Sequence, residues 1–148
     1  MTLEWACGNP RAASPPPIAV TAAATTDASA ATVPHGDHNP RFGGVVLMNG
    51  NLHFEVLLRR DGRHQVYFSD AARSEVPASY ASDVAIAVTP KGGLAQSVKL
   101  AIDEAGESWV GSGPPIVDPD AVARVSYTIR GTPYWIDLPF ATMPAVSR

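Results

Sequence analysis

Three observations predict an all-β fold, specifically an Ig-like antiparallel β-sandwich. After residue 42 apolar residues recur at period two in short runs, the mark of strands with one buried face. Gly, Pro, Asn and Asp clusters separate those runs at intervals of roughly eight to twelve residues, the spacing of short paired strands. Charged residues make up only 17% of the chain, whereas glycine (12) and proline (14) are plentiful. That balance suits a domain with many turns better than a helical bundle. Residues 42–140 hold about seven or eight such strands, as an Ig-like sandwich requires. A small barrel is the alternative.

The 148 residues accommodate one such domain and its tails. Residues 1–41 are rich in Ala, Pro, Ser and Thr, with a triple proline at Pro15–Pro17. Such a segment has too little apolar surface to offset its ordering entropy, so it is expected to be a disordered linker. Residues 42–140 form the expected sandwich, and residues 141–148 a short C-terminal tail. The net charge of −3 and the lack of a basic stripe with interleaved aromatics speak against nucleic acid as a partner. No apolar run approaches the length of a membrane span. Cys7 is the single cysteine, which excludes an internal disulfide and a thiolate metal cage. A metal here would be held by imidazole, carboxylate or thioether.

Val45 and Leu47, then Leu52, Phe54, Val56 and Leu58, alternate with other residues around Asn49-Gly50. Asn-Gly is the strongest short hairpin signal, because both turn positions take positive φ. A two-residue loop there pairs Leu47 with Leu52 and Val45 with Phe54 on the inner face. It also places Val46 beside His53 and Gly44 beside Glu55 on the outer face. A second hairpin follows at Arg60-Asp61-Gly62, where a three-residue loop keeps Val66 and Phe68 inside and sets Tyr67 across from Glu55. Residues 70–83 have no clear period and contain Pro77, so they form a crossing connection with room for one helical turn. Val84, Ile86 and Val88 form the next strand, and Val98, Leu100 and Ile102 the one after it. A short strand centres on Trp109 and Val110. Ala123–Ile129 and Tyr134–Leu138 close the fold, joined through Gly131-Thr132-Pro133. The expected core is Leu52, Phe54, Val56, Val66, Phe68, Ile86, Leu100, Val125, Tyr127, Ile136 and Leu138.

Chemistry concentrates at the start of the folded region. Three of the four histidines, His35, His38 and His53, lie there with Asp37, Met48 and Glu55. His53 and Glu55 are two apart on one strand, so both side chains project from one face about 6–7 Å apart at the Cα level. Neighbouring imidazole and carboxylate ligands on a strand are a known metal arrangement. The glycine pair Gly43-Gly44 lets the arm fold back over that face without steric cost. A site of His38, His53 and Glu55, with His35 or Asp37 as a fourth ligand, suits Zn(II) or Cu(II). Met48 on the same face adds a soft ligand that suits Cu(I). The simpler reading is a solvated polar face of a sandwich. His64 begins a strand and is expected to point inward against Leu58.

Phe42-Gly43-Gly44-Val45-Val46, Gly50-Asn51-Leu52-His53-Phe54-Glu55-Val56, and Asp61-Gly62 through Tyr67-Phe68-Ser69-Asp70 resemble a family of small bacterial envelope domains. These read His-Gly-Gly, then Gly-Asp-x-His-x-Glu, then Asp-Gly and a Tyr-rich strand ending in Asp. They occur beside or within periplasmic components of heavy-metal and copper efflux systems. Phe42 stands where that pattern has histidine, and Asn51 where it has aspartate. The resemblance therefore implies that His38 substitutes for the missing histidine. Ala6-Cys7-Gly8-Asn9 followed by the Ala/Ser/Pro tract resembles the region after a bacterial lipoprotein cleavage site. Either Met1 is a misplaced start with a signal upstream, or Cys7 is an idle thiol; the first is the expectation taken here.

The functional expectation is a non-catalytic periplasmic or membrane-tethered domain that binds copper or zinc in homeostasis or efflux. Its partner would be an envelope or efflux-system protein, with membrane attachment only through a lipid anchor at Cys7. The alternative is an Ig-like protein-interaction module of the cell envelope with no metal. No Ser, His and Asp set stands at a nucleophilic spacing, and Cys7 sits where nothing lowers its pKa, so no enzyme is expected.

Overall fold

From His64 to Phe68, from Val84 to Val88 and from Ala123 to Tyr127, every second side chain is buried. That alternation builds two inner faces with one shared core. The computed structural model describes residues 39–144. Its strands are β1 (Val45–Asn49), β2 (Leu52–Leu58), β3 (Arg63–Ser69), β4 (Ser82–Thr89) and β5 (Gln96–Lys99). They continue with β6 (Ala101–Ile102), β7 (Ser108–Ser112), β8 (Val122–Ile129) and β9 (Thr132–Pro139). They form two antiparallel sheets, β1-β2-β3-β7-β6 and β5-β4-β8-β9. With β1 set aside, β2-β3-β7-β6 over β5-β4-β8-β9 has the A-B-E-D over C′-C-F-G order of an Ig-like sandwich. The fold is that sandwich with one additional edge strand, β1.

The first hairpin differs from expectation by two residues. Asn49 pairs with Leu52, Met48 with His53, Leu47 with Phe54 and Val46 with Glu55. The loop is therefore Gly50-Asn51, with positive φ at Gly50 (58°), as a turn with glycine at its first central position requires. A shift of two keeps every side chain on its expected face. It also frees the Asn49 side-chain amide to donate to the Tyr127 hydroxyl of the other sheet at 3.1 Å. The second hairpin is as expected, with Tyr67 opposite Glu55, Ser69 opposite His53 and His64 opposite Leu58.

Two later elements also depart from the sequence reading. The turn between β8 and β9 is Arg130-Gly131, and Pro133 lies inside β9 opposite Thr128. Pro133 is tolerated because β9 is an edge strand and the missing N–H of proline falls where the ladder has no partner for it. The expected strand through Val98, Leu100 and Ile102 divides at Leu100, whose N–H donates to the Val84 carbonyl at 3.0 Å. Residues before it pair with β4, and Ala101 and Ile102 after it pair with β7. The chain thus changes sheets at a buried leucine, which raises the strand number above the expected seven or eight.

Phe54, Phe68 and Tyr127 meet edge to face or tilted at the core, with centroids 5.1–6.1 Å apart, a favourable geometry for aromatic rings. Trp109 donates its indole N–H to the Ala78 carbonyl at 2.8 Å. That bond ties a 3₁₀ turn at Ala78–Tyr80, in the crossing connection, onto the sheet. Of the expected core, Leu52 and Ile136 are only partly buried, the first at a hairpin tip and the second on an edge strand. Phe140 is buried, and Met143 packs against the core. The folded unit therefore runs a few residues past the expected limit at 140.

Gly62 sits at φ 87°, and a Cβ there would overlap the Gly113 carbonyl oxygen. Gly50 is also left-handed but has open space around it. Gly62→Ala should therefore cost about 3 kcal/mol and Gly50→Ala about 1 kcal/mol in urea unfolding. Equal losses would show that the close approach of residue 113 does not constrain the turn.

Candidate metal centre

β2 is buried along both faces from His53 to Leu58. Its outer face, which the simpler reading leaves solvated, is covered by two segments without regular structure, residues 39–44 and residues 70–76. The cover is held by Glu55. Its Oε2 accepts the N–H of Arg41 at 2.8 Å, and its Oε1 accepts those of Phe42 and Gly44, each at 2.8 Å. A carboxylate that takes several main-chain donors makes stronger bonds than a neutral acceptor. Gly44 makes the close approach possible, because a Cβ there would overlap the Val56 carbonyl oxygen.

The second covering segment is a turn built on Asp70. Its Oδ1 accepts the N–H groups of Ala72 at 2.9 Å and Ser74 at 2.8 Å. The turn carries Arg73 in a left-handed conformation (φ 67°). Arg73 is buried and donates from Nη2 to the Asn39 carbonyl at 2.9 Å. Phe42 stacks on Tyr67 with centroids 3.6 Å apart and planes 8° apart. The two covering segments are therefore tied to each other and to the sheet.

His53 lies beneath this cover, 3% exposed, with Nδ1 3.0 Å from the Asp70 carbonyl. A carbonyl only accepts, so Nδ1 carries the proton. In the neutral ring Nε2 is then a bare lone pair. Nε2 is buried and has no hydrogen-bond partner among the described residues. Met48 stands directly across the strand pair from His53. Further along the same face Gln65 Nε2 donates to the Tyr67 hydroxyl at 2.7 Å and to Ser108 Oγ at 2.9 Å. Ser108 donates in turn to Asp103 at 2.5 Å. The Ser108 hydroxyl holds the Asp103 carboxyl below the usual carboxylate range. Burial pushes the Tyr67 phenol up.

The structure thus brings Met48, His53 and Glu55 together on one face, but it commits Glu55 to main-chain donors. His35, Asp37 and His38 lie outside the described residues, as does Cys7. Among the described residues no group of three or more His, Cys, Asp or Glu side chains is arranged to hold a metal. Arg73, Asp70 and Phe42 shape the site and carried no signal as site residues, since their partners are backbone carbonyls, turn amides and an aromatic ring. No protein-family model matches the chain, and no curated protein or solved structure does either.

Glu55→Gln keeps the shape but places an amide N–H against the Arg41 N–H. It should cost about 2–3 kcal/mol in urea unfolding and raise the hydrogen exchange of the Arg41, Phe42 and Gly44 amides. Unchanged exchange at those amides would show that the carboxylate does not hold the segment.

Proposed function

We propose that this chain is a non-catalytic accessory domain of the bacterial cell envelope that binds copper as cargo, in homeostasis or efflux. The observation that carries this reading is the buried His53 imidazole, fixed through Nδ1 on the Asp70 carbonyl and bare at Nε2. Metal-binding histidines are oriented in this way, with one ring nitrogen donating to a carbonyl and the other left for the metal. With three of its roughly four lone-pair positions taken by main-chain N–H groups, Glu55 is a poor carboxylate ligand, which disfavours the mixed set suited to Zn(II). Imidazole from His53 and thioether from Met48 remain, a soft pair that suits Cu(I). Additional donors would come from His35, Asp37 or His38. The Asn39 carbonyl that follows them is held by Arg73, three residues from the Asp70 that holds His53. The resemblance to envelope domains of efflux systems supports the same reading. A lipid anchor at Cys7 and an envelope or efflux-system partner belong to this proposal.

Competition titration of the full chain with Cu(I) and Zn(II) tests the proposal. His53→Ala and Met48→Leu should each weaken Cu(I) binding about tenfold or more and leave Zn(II) binding nearly unchanged. Absence of Cu(I) binding at micromolar metal, or binding unaffected by both substitutions, would sink it.

A second reading is an Ig-like interaction module without metal. A groove of about 530 Å³ at one end of the sandwich favours it, with Leu52, Val76, Ile129 and Tyr134 among its lining residues and Tyr80 beside them. That end carries the β3–β4 connection and the β8–β9 turn, the positions from which Ig-like domains commonly present binding loops. A folded chain with no metal affinity selects this second reading.

A further inference from the structure

His64, the second residue of β3, lies opposite Leu58 and Gly111 on the core side of the sheet and is 3% exposed. Among the described residues neither ring nitrogen meets full hydrogen-bond geometry with a partner, although the Arg63 main chain lies close enough to oppose the effect of burial on the ring. A neutral imidazole always carries one N–H donor and one lone pair, so its donor is poorly satisfied in the interior, a rare and costly arrangement. The ring borders a cavity of about 90 Å³ walled by Val88, Val98, Pro114, Pro115 and Ile116. The outer wall of that cavity is a strap, residues 113–117, which belongs to no strand. Two main-chain bonds tie it to the turn just before His64. Gly113 N–H donates to the Gly62 carbonyl and Ile116 N–H to the Arg60 carbonyl, both at 2.9 Å.

The charged groups around this cavity offer a protonated ring little support. Asp61, on the turn, is engaged by the Arg63 guanidinium at 2.6 Å and lies near Arg59. Arg60, also on that turn, lies over the Phe140 ring. On the strap side the Asp118 carboxylate accepts the N–H groups of Lys91 at 2.6 Å and Asp120 at 2.9 Å. Burial holds the His64 ring below its ordinary value of 6.5, against smaller opposing contributions from the Arg63 backbone and Asp61. The folded chain therefore takes up this proton less readily than the unfolded one. The stability tied to a neutral His64 is complete above the ordinary imidazole range and is lost as pH falls below it.

We propose that His64 is an acid-operated latch, whose protonation releases the 113–117 strap and opens this end of the sandwich. The strap is the wall that yields, because the walls at His64, Val88 and Val98 are strands paired within the two sheets while the strap is tied to the turn by two main-chain hydrogen bonds. Its release admits water to the imidazolium and uncovers Val98 and Ile116.

The test follows the His64 ring by NMR from pH 7.5 to 4.5 in the full chain. Exchange of the Gly113 and Ile116 amides is measured alongside, corrected for the intrinsic pH dependence. Protection of both amides should fall about tenfold or more over the range in which His64 titrates, while Val66 and Val125 stay protected. In His64→Gln, and in His64→Leu should the first fail to fold, strap protection should not change with pH. The proposal is overturned if His64 titrates with the strap still protected, or if the strap opens at the same pH in the substituted chain. The wild-type coincidence of titration and opening decides the matter even without a folded variant.

Discussion

The Glu55 carboxylate is the constraint on which the first half of the molecule depends. It accepts three main-chain N–H groups, from Arg41, Phe42 and Gly44, and so draws the entering chain across the outer face of β2. A strand with one wet face becomes a strand buried on both sides. Phe42 is thereby brought onto Tyr67, and the Asn39 carbonyl onto Arg73. Removing the carboxylate while the cover stays in place would leave three buried or half-buried donors without partners. The desolvation cost of such donors exceeds the net worth of the bonds themselves. The clamp therefore stabilises a particular path of the chain more than it adds to the core.

The sandwich was legible because its inner faces are written in period two. Phe54, Val56, Val66, Phe68, Ile86, Val125 and Tyr127 are all buried, as their alternation predicts. The misreadings fall where two turn chemistries compete or where tertiary context overrides local preference. Asn49-Gly50 and Gly50-Asn51 are both good hairpin loops, and the bond from Asn49 to Tyr127 in the opposite sheet accompanies the choice. Pro133 looks like a turn residue until it is known that β9 is an edge. Leu100 looks like the middle of one strand until the chain is seen to change sheets there. The candidate site was legible to the same depth. That His53 and Glu55 share a face follows from spacing alone. That the face is covered does not, because residues 39–44 and 70–76 have no periodicity and their anchors are backbone groups.

Two buried histidines show how the same side chain acquires different roles from its surroundings. His53 has one nitrogen on a carbonyl, which fixes its tautomer and leaves a lone pair as the only unmet need. An unmet lone pair is the lesser cost, and on the proposed reading a soft cation would satisfy it. Among the described residues His64 has neither nitrogen in full hydrogen-bond geometry, so its donor is poorly met, and protonation adds a second donor to the ring. One environment leaves a lone pair open and the other penalises a charge. The first lies under a cover knotted together by Glu55, Asp70 and Arg73. The second lies behind a strap held at two points.

This difference bears on what the outer face of β2 can bind. A carboxylate free to move would make the face a hard, anionic site, and oxygen-preferring or borderline cations would compete for it. With its oxygens already bonded to N–H groups, Glu55 cannot turn to a metal without releasing residues 41–44, and with them the Phe42–Tyr67 stack. Any cation that recruits Glu55 must therefore offset the loss of that cover. A cation satisfied by His53 and Met48 need not disturb it. On the proposed reading, the clamp that buries the site also discriminates among metals, because it makes carboxylate ligation cost the fold of the entering chain while leaving thioether and imidazole ligation free of that cost.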